Sequence, residues 1–186
     1  MKYVIVSGSP KSEGLCRSMI DQVVKGANDG GAQVELLTVA KLDRCRVCGD
    51  GWGICRKEGR CAFGDDGFND AQRAVKEADA LCLITPVYCW EMAESLKCFL
   101  DRLRRCEFME KGLSGKQTLL IATPGGSGNG MATCLDQMER FCKHTGATVF
   151  DFIGANRWTN DYKQKAAYTA AKVMAEGRKA GETINL

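Results

Sequence analysis

Four cysteines, Cys45, Cys48, Cys55 and Cys61, follow one another with the spacing C-x2-C-x6-C-x5-C. Four thiolates gathered in one loop have the chemistry of a 4Fe-4S cluster or of a tetrahedral zinc ion. Six glycines lie from Gly49 to Gly67, and glycine allows the tight turns that bring four sulfurs together. The same residues also read as four ordinary loop thiols, because a cysteine count does not separate the three.

A second chemistry lies at the N-terminus, in Ser7-Gly8-Ser9-Pro10-Lys11-Ser12. Its three hydroxyls are hydrogen-bond donors, Gly8 lets the backbone approach closely, and Lys11 adds charge or is simply solvated. Between a strand and a helix such a loop either holds an anion at the helix N-terminus or is only a turn. It is neither of the two common phosphate motifs. The P-loop pattern is absent, and G-x-G-x-x-G fails because Gly126 and Gly128 would need a glycine where Met131 stands.

The elements that must position these residues follow from the hydrophobic pattern. Residues 3–6, YVIV, read as a buried strand, and Leu15, Met19, Ile20, Val23, Val24 and Ala27 fall at helical spacing. A strand is expected at 33–38, a helix at 68–78, and a nearly all-apolar strand at 80–85 that Pro86 ends. Met92, Leu96, Phe99, Leu100 and Leu103 mark an amphipathic helix with Asp101, Arg102, Arg104 and Arg105 on its outward, solvated face. A strand at 117–122, a helix through Met131, Leu135, Met138 and Cys142, a strand at 148–153 and a helix at 161–180 complete the chain. His144, the only histidine, reads as a charge partner at a helix C-terminus.

Five strand–helix alternations predict one α/β domain over 1–186: a five-stranded parallel sheet with helices on both faces. The aperiodic, cysteine-rich stretch at about 41–67 is an insertion into it, and loops of that length are commonly functional. In such sheets ligands bind outside the carboxyl ends of the strands. Three loops share that edge, at 7–12, 86–91 and 123–130.

The 186 residues suit a single core, with 45% hydrophobic and 26% charged residues. A net charge of +3 calls for neither a nucleic acid nor a membrane partner. No apolar run approaches the roughly 20 residues of a membrane span. The chain enters its first strand at once, with no signal peptide, which points to the cytoplasm. There the eleven cysteines are expected as free thiols. Cys16, Cys82, Cys98, Cys106, Cys134 and Cys142, scattered singly, read as small buried hydrophobes.

With these loops in view, the chain resembles the NADPH-dependent FMN reductase family, and within it the iron-sulfur flavoproteins. The resemblance runs from Met1 to about residue 155. It is carried by Gly8-Ser9-Pro10-Lys11, CRVCGDGWGICRKEGRCAFGDD at 45–66, TPVYCWEMAESLKCFLDR at 85–102 and ATPGGSG at 122–128. It implies a flavodoxin-like fold with strand order 2-1-3-4-5 and non-covalently bound FMN.

By this resemblance Ser9, Lys11 and Ser12 line the FMN phosphate. Cys16 ends Gly14-Leu15-Cys16, where the family carries Gly-Asn-Thr/Ser; Ser18 or backbone N–H groups would replace the missing Asn and hydroxyl. Pro86, Val87, Tyr88, Cys89 and Trp90 border the isoalloxazine ring. Tyr88 or Trp90 stacks on it, unless Trp90 caps the helix against the core or meets another subunit. Thr123, Gly125, Gly126 and Ser127 surround the pyrimidine edge, where backbone N–H groups stabilise negative charge on reduced flavin. In the cysteine loop the family's second gap is two residues. Here it is six, through an apparent insertion of Asp50-Gly51-Trp52-Gly53, which makes Cys55 the displaced third cysteine. Cys61 and Asp65-Asp66 keep the pattern, although relatives with similar cysteines do not all hold clusters.

The function implied is an FMN-dependent oxidoreductase passing electrons from NADH or NADPH to a quinone, nitro compound, metal ion or protein, with no side chain as acid or base. The cysteine loop favours an alternative, a single-electron carrier with a ferredoxin-like partner. A zinc-stabilised binding module without turnover is the third reading, and the flavin-type loops count against it. The family further implies a homodimer or homotetramer.

Overall fold

Along the first strand Val4 and Val6 face one side while Tyr3 and Ile5 face the other, and all four are fully buried. Strands whose two faces are both covered must be apolar throughout. The same alternation recurs in the third strand, where Leu81 and Leu83 join one core and Ala80, Cys82 and Ile84 the other. The structure, a computed structural model, describes residues 1–49 and 53–182.

The elements run β1 (Lys2–Ser7), α1 (Leu15–Asp29), β2 (Gln33–Thr38), α2 (Cys55–Glu58), α3 (Phe68–Glu77), β3 (Ala80–Tyr88), β4 (Glu91–Met92), α4 (Glu94–Cys106), β5 (Gln117–Pro124), α5 (Met131–Thr145), β6 (Thr148–Gly154) and α6 (Asn160–Ala175). The sheet order is β2-β1-β3-β5-β6, with β4 paired to β3 alone. The five long strands are parallel, and the two-residue β4 is antiparallel. With β4 set aside this is the expected 2-1-3-4-5 order, so the chain has the flavodoxin-like fold. Helices α1 and α6 cover one face, and α3, α4 and α5 cover the other. Among the described residues no helix is long and apolar enough to cross a membrane.

The structure corrects several expectations. Pro86 does not end β3, which runs on to Tyr88. β1 accompanies β3 only as far as Ser7 and Ile84, whereas β5 follows it to Val87. Pro86 therefore has no neighbouring strand on its β1 side, a place where a missing N–H is tolerated. β5 likewise extends to Pro124. The last helix stops at Ala175 rather than 180, because Gly177 takes a left-handed φ of 97°, the usual helix stop. Cys98 is only partly buried, unlike Cys16, Cys82, Cys106, Cys134 and Cys142. The cysteine-rich stretch contains the one-turn helix α2, too short to show a period.

Arg102 is the largest departure. Expected on the solvated face of α4, it is 2% exposed. Its guanidinium lies 4.1 Å from the Phe68 ring centroid, and Phe68 meets Phe99 edge-to-face at 5.6 Å. Asp43, Cys61, Phe63 and Asp66 close around the Arg102 guanidinium and turn a surface position into an interior one.

Candidate functional site

The first loop is held by its own hydroxyls. Ser7 Oγ accepts the Ser9 N–H at 3.2 Å, and Ser9 Oγ accepts the Lys11 N–H at 3.2 Å. Both serines are buried, while Lys11 and Ser12 stand exposed at the turn. α1 then begins just after Gly14, with no side-chain cap and no acidic residue in its first turn. Its first N–H groups thus remain available to an anion. Ser18, expected to stand in for the missing hydroxyl, donates instead to the Leu15 carbonyl at 2.8 Å and to Asn160 Oδ1 at 3.3 Å.

Cys16 lies beneath this loop. Burial pushes its thiol pKa up, while hydrogen-bonding contact with Thr123, Ser9 and Ser7 opposes the rise. It therefore joins the loop after β1 to the end of β5. Thr123 Oγ1 in turn donates to the Thr85 carbonyl at 3.2 Å. Thr85 Oγ1 donates to the Pro86 carbonyl at 2.9 Å and accepts the Ala93 N–H at 3.0 Å. Ser95 Oγ donates to the Gly8 carbonyl at 2.6 Å, tying the start of α4 to the first loop.

Val87, Cys89 and Trp90 face residues 124–129 across an open cleft of about 270 Å³, near the roughly 300 Å³ at which small-molecule pockets begin. Gly125, Gly126 and Ser127 line it with exposed backbone. Cys89 and Trp90 take left-handed φ values of 48° and 73°, a cost of about 1–3 kcal/mol each that clusters at functional sites. Trp90 is 62% exposed, so it does not cap α4 against the core. Tyr88 is exposed at the end of β3, and Pro86 is buried within it. A larger cavity, of about 580 Å³ beside Phe108, Met109 and His144, lies at the C-terminal ends of α4 and α5. That is the opposite edge of the sheet from the strand termini where such folds bind ligands.

Several of these supporting residues were not anticipated: Thr85, Ser95, Asn156 and Arg157. Asn156 Oδ1 accepts the N–H groups of Trp158 and Thr159 at 3.0 and 3.1 Å. An Asn three residues before a Thr at a helix start is a legible turn signal, and it places a fourth loop on the same edge. The donor set fits FMN in kind: an uncapped helix start and hydroxyls for a phosphate, bare glycine backbone and aromatics for a flat ring.

The four loop cysteines also come together. Cys45, Cys48, Cys55 and Cys61 line one small cavity of about 20 Å³, along with Arg102, Arg105 and Cys106. Burial pushes the Cys55 thiol pKa up; the Arg56 backbone N–H and the Arg105 charge oppose the rise, while Cys48 and Cys61 add to it. Cys106, which the sequence assigned to the core alone, has its thiol pushed up to about 12, mainly by burial. Among the described residues no three ligand-type side chains are placed to hold a metal ion as they stand. What fits a cluster or zinc is the chemistry of the donors, the four loop thiols on one pocket beside the guanidinium groups of Arg46, Arg102 and Arg105. Of the expected insertion, Asp50, Gly51 and Trp52 lie outside the described residues.

Known proteins resemble this chain in sequence and in fold. The chain is 33% identical over 105 residues to an iron-sulfur flavoprotein of Archaeoglobus fulgidus, a match covering 55% of this chain and 46% of that protein. It is 29% identical over 145 residues to an iron-sulfur flavoprotein of Methanocaldococcus jannaschii, covering 76% and 71%. The match thus spans just under half of the Archaeoglobus protein's own length. Among solved structures, an apo NADH:FMN oxidoreductase superposes with a TM-score of 0.69 at 20% identity, over 94% of this chain and 88% of that one. A flavodoxin from the domain Archaea gives 0.65 at 15%, over 95% and 97%; at these identities both show the fold. The sequence model of the NADPH-dependent FMN reductases matches residues 1–159, and the chain belongs to the NADPH-dependent FMN reductase family.

Proposed function

We propose that this protein is an FMN-dependent oxidoreductase that takes electrons from a reduced nicotinamide and passes them to an acceptor. The observation that carries this is the cleft between Val87–Trp90 and residues 124–129, on the same sheet edge as an uncapped α1. When bound, FMN supplies the electron-accepting ring; the protein binds and orients it. Ser12, Lys11 and the first N–H groups of α1 would hold the phosphate, with Ser9 bracing the turn that presents them and Cys16 beneath. Pro86, Val87, Tyr88, Cys89 and Trp90 flank the ring on one side. Thr123, Gly125, Gly126 and Ser127 meet its polar edge. The chain acts as one flavodoxin-like unit with the cysteine stretch inserted, in a reducing compartment and as a homo-oligomer. Anaerobic addition of NADPH or NADH to FMN-loaded protein should bleach the flavin absorbance. A loaded protein that dithionite bleaches and neither nicotinamide does would overturn this reading.

A second reading, an iron-sulfur electron carrier, is favoured by one observation: Cys45, Cys48, Cys55 and Cys61 all line one cavity. Protein prepared without air should then carry about four iron and four sulfide per chain, and Cys55→Ala should remove both. FMN-loaded protein containing neither iron nor sulfide would leave the flavin reductase alone.

A further inference from the structure

The cysteine cavity has one buried cation fixed in its wall. Arg102 Nη1 donates to the Asp43 carbonyl at 2.8 Å and to Asp66 Oδ2 at 2.7 Å. Nη2 reaches Asp66 Oδ1 and the Phe63 carbonyl, both at 3.0 Å, and Cys61 Sγ at 3.5 Å. One guanidinium thus grips the chain before Cys45, the chain after Cys61 and the Cys61 sulfur itself. Phe68 closes its face.

One donor is left over. Arg102 Nε is buried and has no hydrogen-bond partner, the one such side-chain atom among the described residues. A buried N–H without an acceptor is costly and marks a place where a partner is missing. Arg102 lines a cavity whose other walls are mostly thiols, so the missing partner is expected to be electron-rich. The rest of the guanidinium is engaged by Asp66, two carbonyls and the Cys61 sulfur, which fixes its orientation.

We propose that Arg102 is the positioning residue that tunes the redox behaviour of this pocket, through its N–H···S contact with Cys61. The inference rests on the cluster reading of the four cysteines. Hydrogen bonds to ligand sulfurs and nearby positive charge favour the reduced, more negative state and so raise the reduction potential. Arg102 does both, and neither spacing nor cysteine count reveals it. Arg46 and Arg105 line the same cavity, but Arg46 is exposed and Arg105 only half-buried, so solvent screens their charge more than that of Arg102.

The test uses the full chain, reconstituted anaerobically with iron and sulfide, as wild type, Arg102→Lys and Arg102→Gln. Arg102→Lys keeps the charge and removes the planar fork; Arg102→Gln removes the charge as well. Iron and sulfide are counted first, and the midpoint potential is then read by redox titration followed by electron paramagnetic resonance. The expected result is a more negative potential in both loaded variants, with the larger shift in Arg102→Gln. Unchanged or more positive potentials at full loading would overturn the proposal. Loss of loading in both variants, with FMN binding retained, would overturn it too, leaving Arg102 a purely structural latch. A wild-type protein that takes up no iron fails the cluster reading itself, and this inference with it.

Discussion

The Nε–H of Arg157 donates to the carbonyl oxygen of Gly125 across 2.7 Å. This bond joins the segment after β6 to the glycine loop after β5. A Cβ on Gly125 or Gly126 would meet nothing within 4 Å, so the contact restrains a stretch with open space beside it. Arg157→Ala is expected to weaken FMN binding about fivefold, the equivalent of roughly 1 kcal/mol for one hydrogen bond. Thermal stability should barely move. Fluorescence titration of the apoprotein measures it, and an unaltered Kd would remove Arg157 from the site.

Gly130 should be the least replaceable residue of the same loop. Its φ is 76°, and a Cβ there would stand 2.4 Å from the Trp90 Cα. Gly130→Ala therefore combines a left-handed alanine with a backbone clash, and is expected to cost more than about 1 kcal/mol of stability. Because the clash displaces the turn carrying Cys89 and Trp90, FMN affinity should fall with it. Urea unfolding and flavin titration of one preparation give both numbers; a stable variant with wild-type affinity would contradict the account.

The serines of the first loop should separate into two roles. Ser12 is exposed at the turn, where a hydroxyl can reach a phosphate. Ser12→Ala should weaken FMN by tenfold or more, from the roughly 1.5–3 kcal/mol of a charge-assisted bond, and leave riboflavin unaffected. Ser9 is buried and holds the Lys11 N–H, so Ser9→Ala should weaken both flavins and lower Tm slightly. Equal losses for FMN and riboflavin in Ser12→Ala would place the phosphate elsewhere.

Asp66 makes the cysteine stretch acid-sensitive. Burial pushes its carboxyl upward, but the Arg102 hydrogen bonds and the N–H groups of Asp43 and Phe68 outweigh that, and its pKa is lowered from 3.8. A carboxyl depressed on folding stabilises the protein above its unfolded value. That stabilisation is lost as pH falls below about 3.8 and through the folded value. Asp66→Ala should cost about 3 kcal/mol at neutral pH, because it strands a buried guanidinium, and should flatten this acid limb. Thermal unfolding at stepped pH reads both, and parallel wild-type and variant curves would count against the pair.

Much of this was legible before the fold was known. Tyr3, Val4, Ile5 and Val6 announce a strand covered on both faces, and Leu15, Met19 and Val23 announce the helix behind it. Local alternation and helical spacing are properties of the chain itself. The residues of the three loops fall at the strand ends for the same reason. Ser95 and Arg157 were not legible, because each acts on a backbone carbonyl far away in sequence, Gly8 or Gly125.

The sequence by itself determined the order of the five long strands and of the helices between them, the apolar faces, and the presence of four thiols in one glycine-rich stretch. Each of these depends on residues within a turn or two of one another. Only the tertiary structure decided that Arg102 is buried, that Cys106 joins the cysteine cavity, and that β3 continues past Pro86. Helical spacing put Arg102 on the outward face of α4. It became interior because Asp43, Cys61, Phe63 and Asp66 close around its guanidinium, and a residue's burial depends on what lies opposite it. For Pro86 the deciding fact was the early end of β1. Hydrogen-bonding need in a strand is fixed by its neighbours, and those neighbours are more than 70 residues away along the chain on the β1 side.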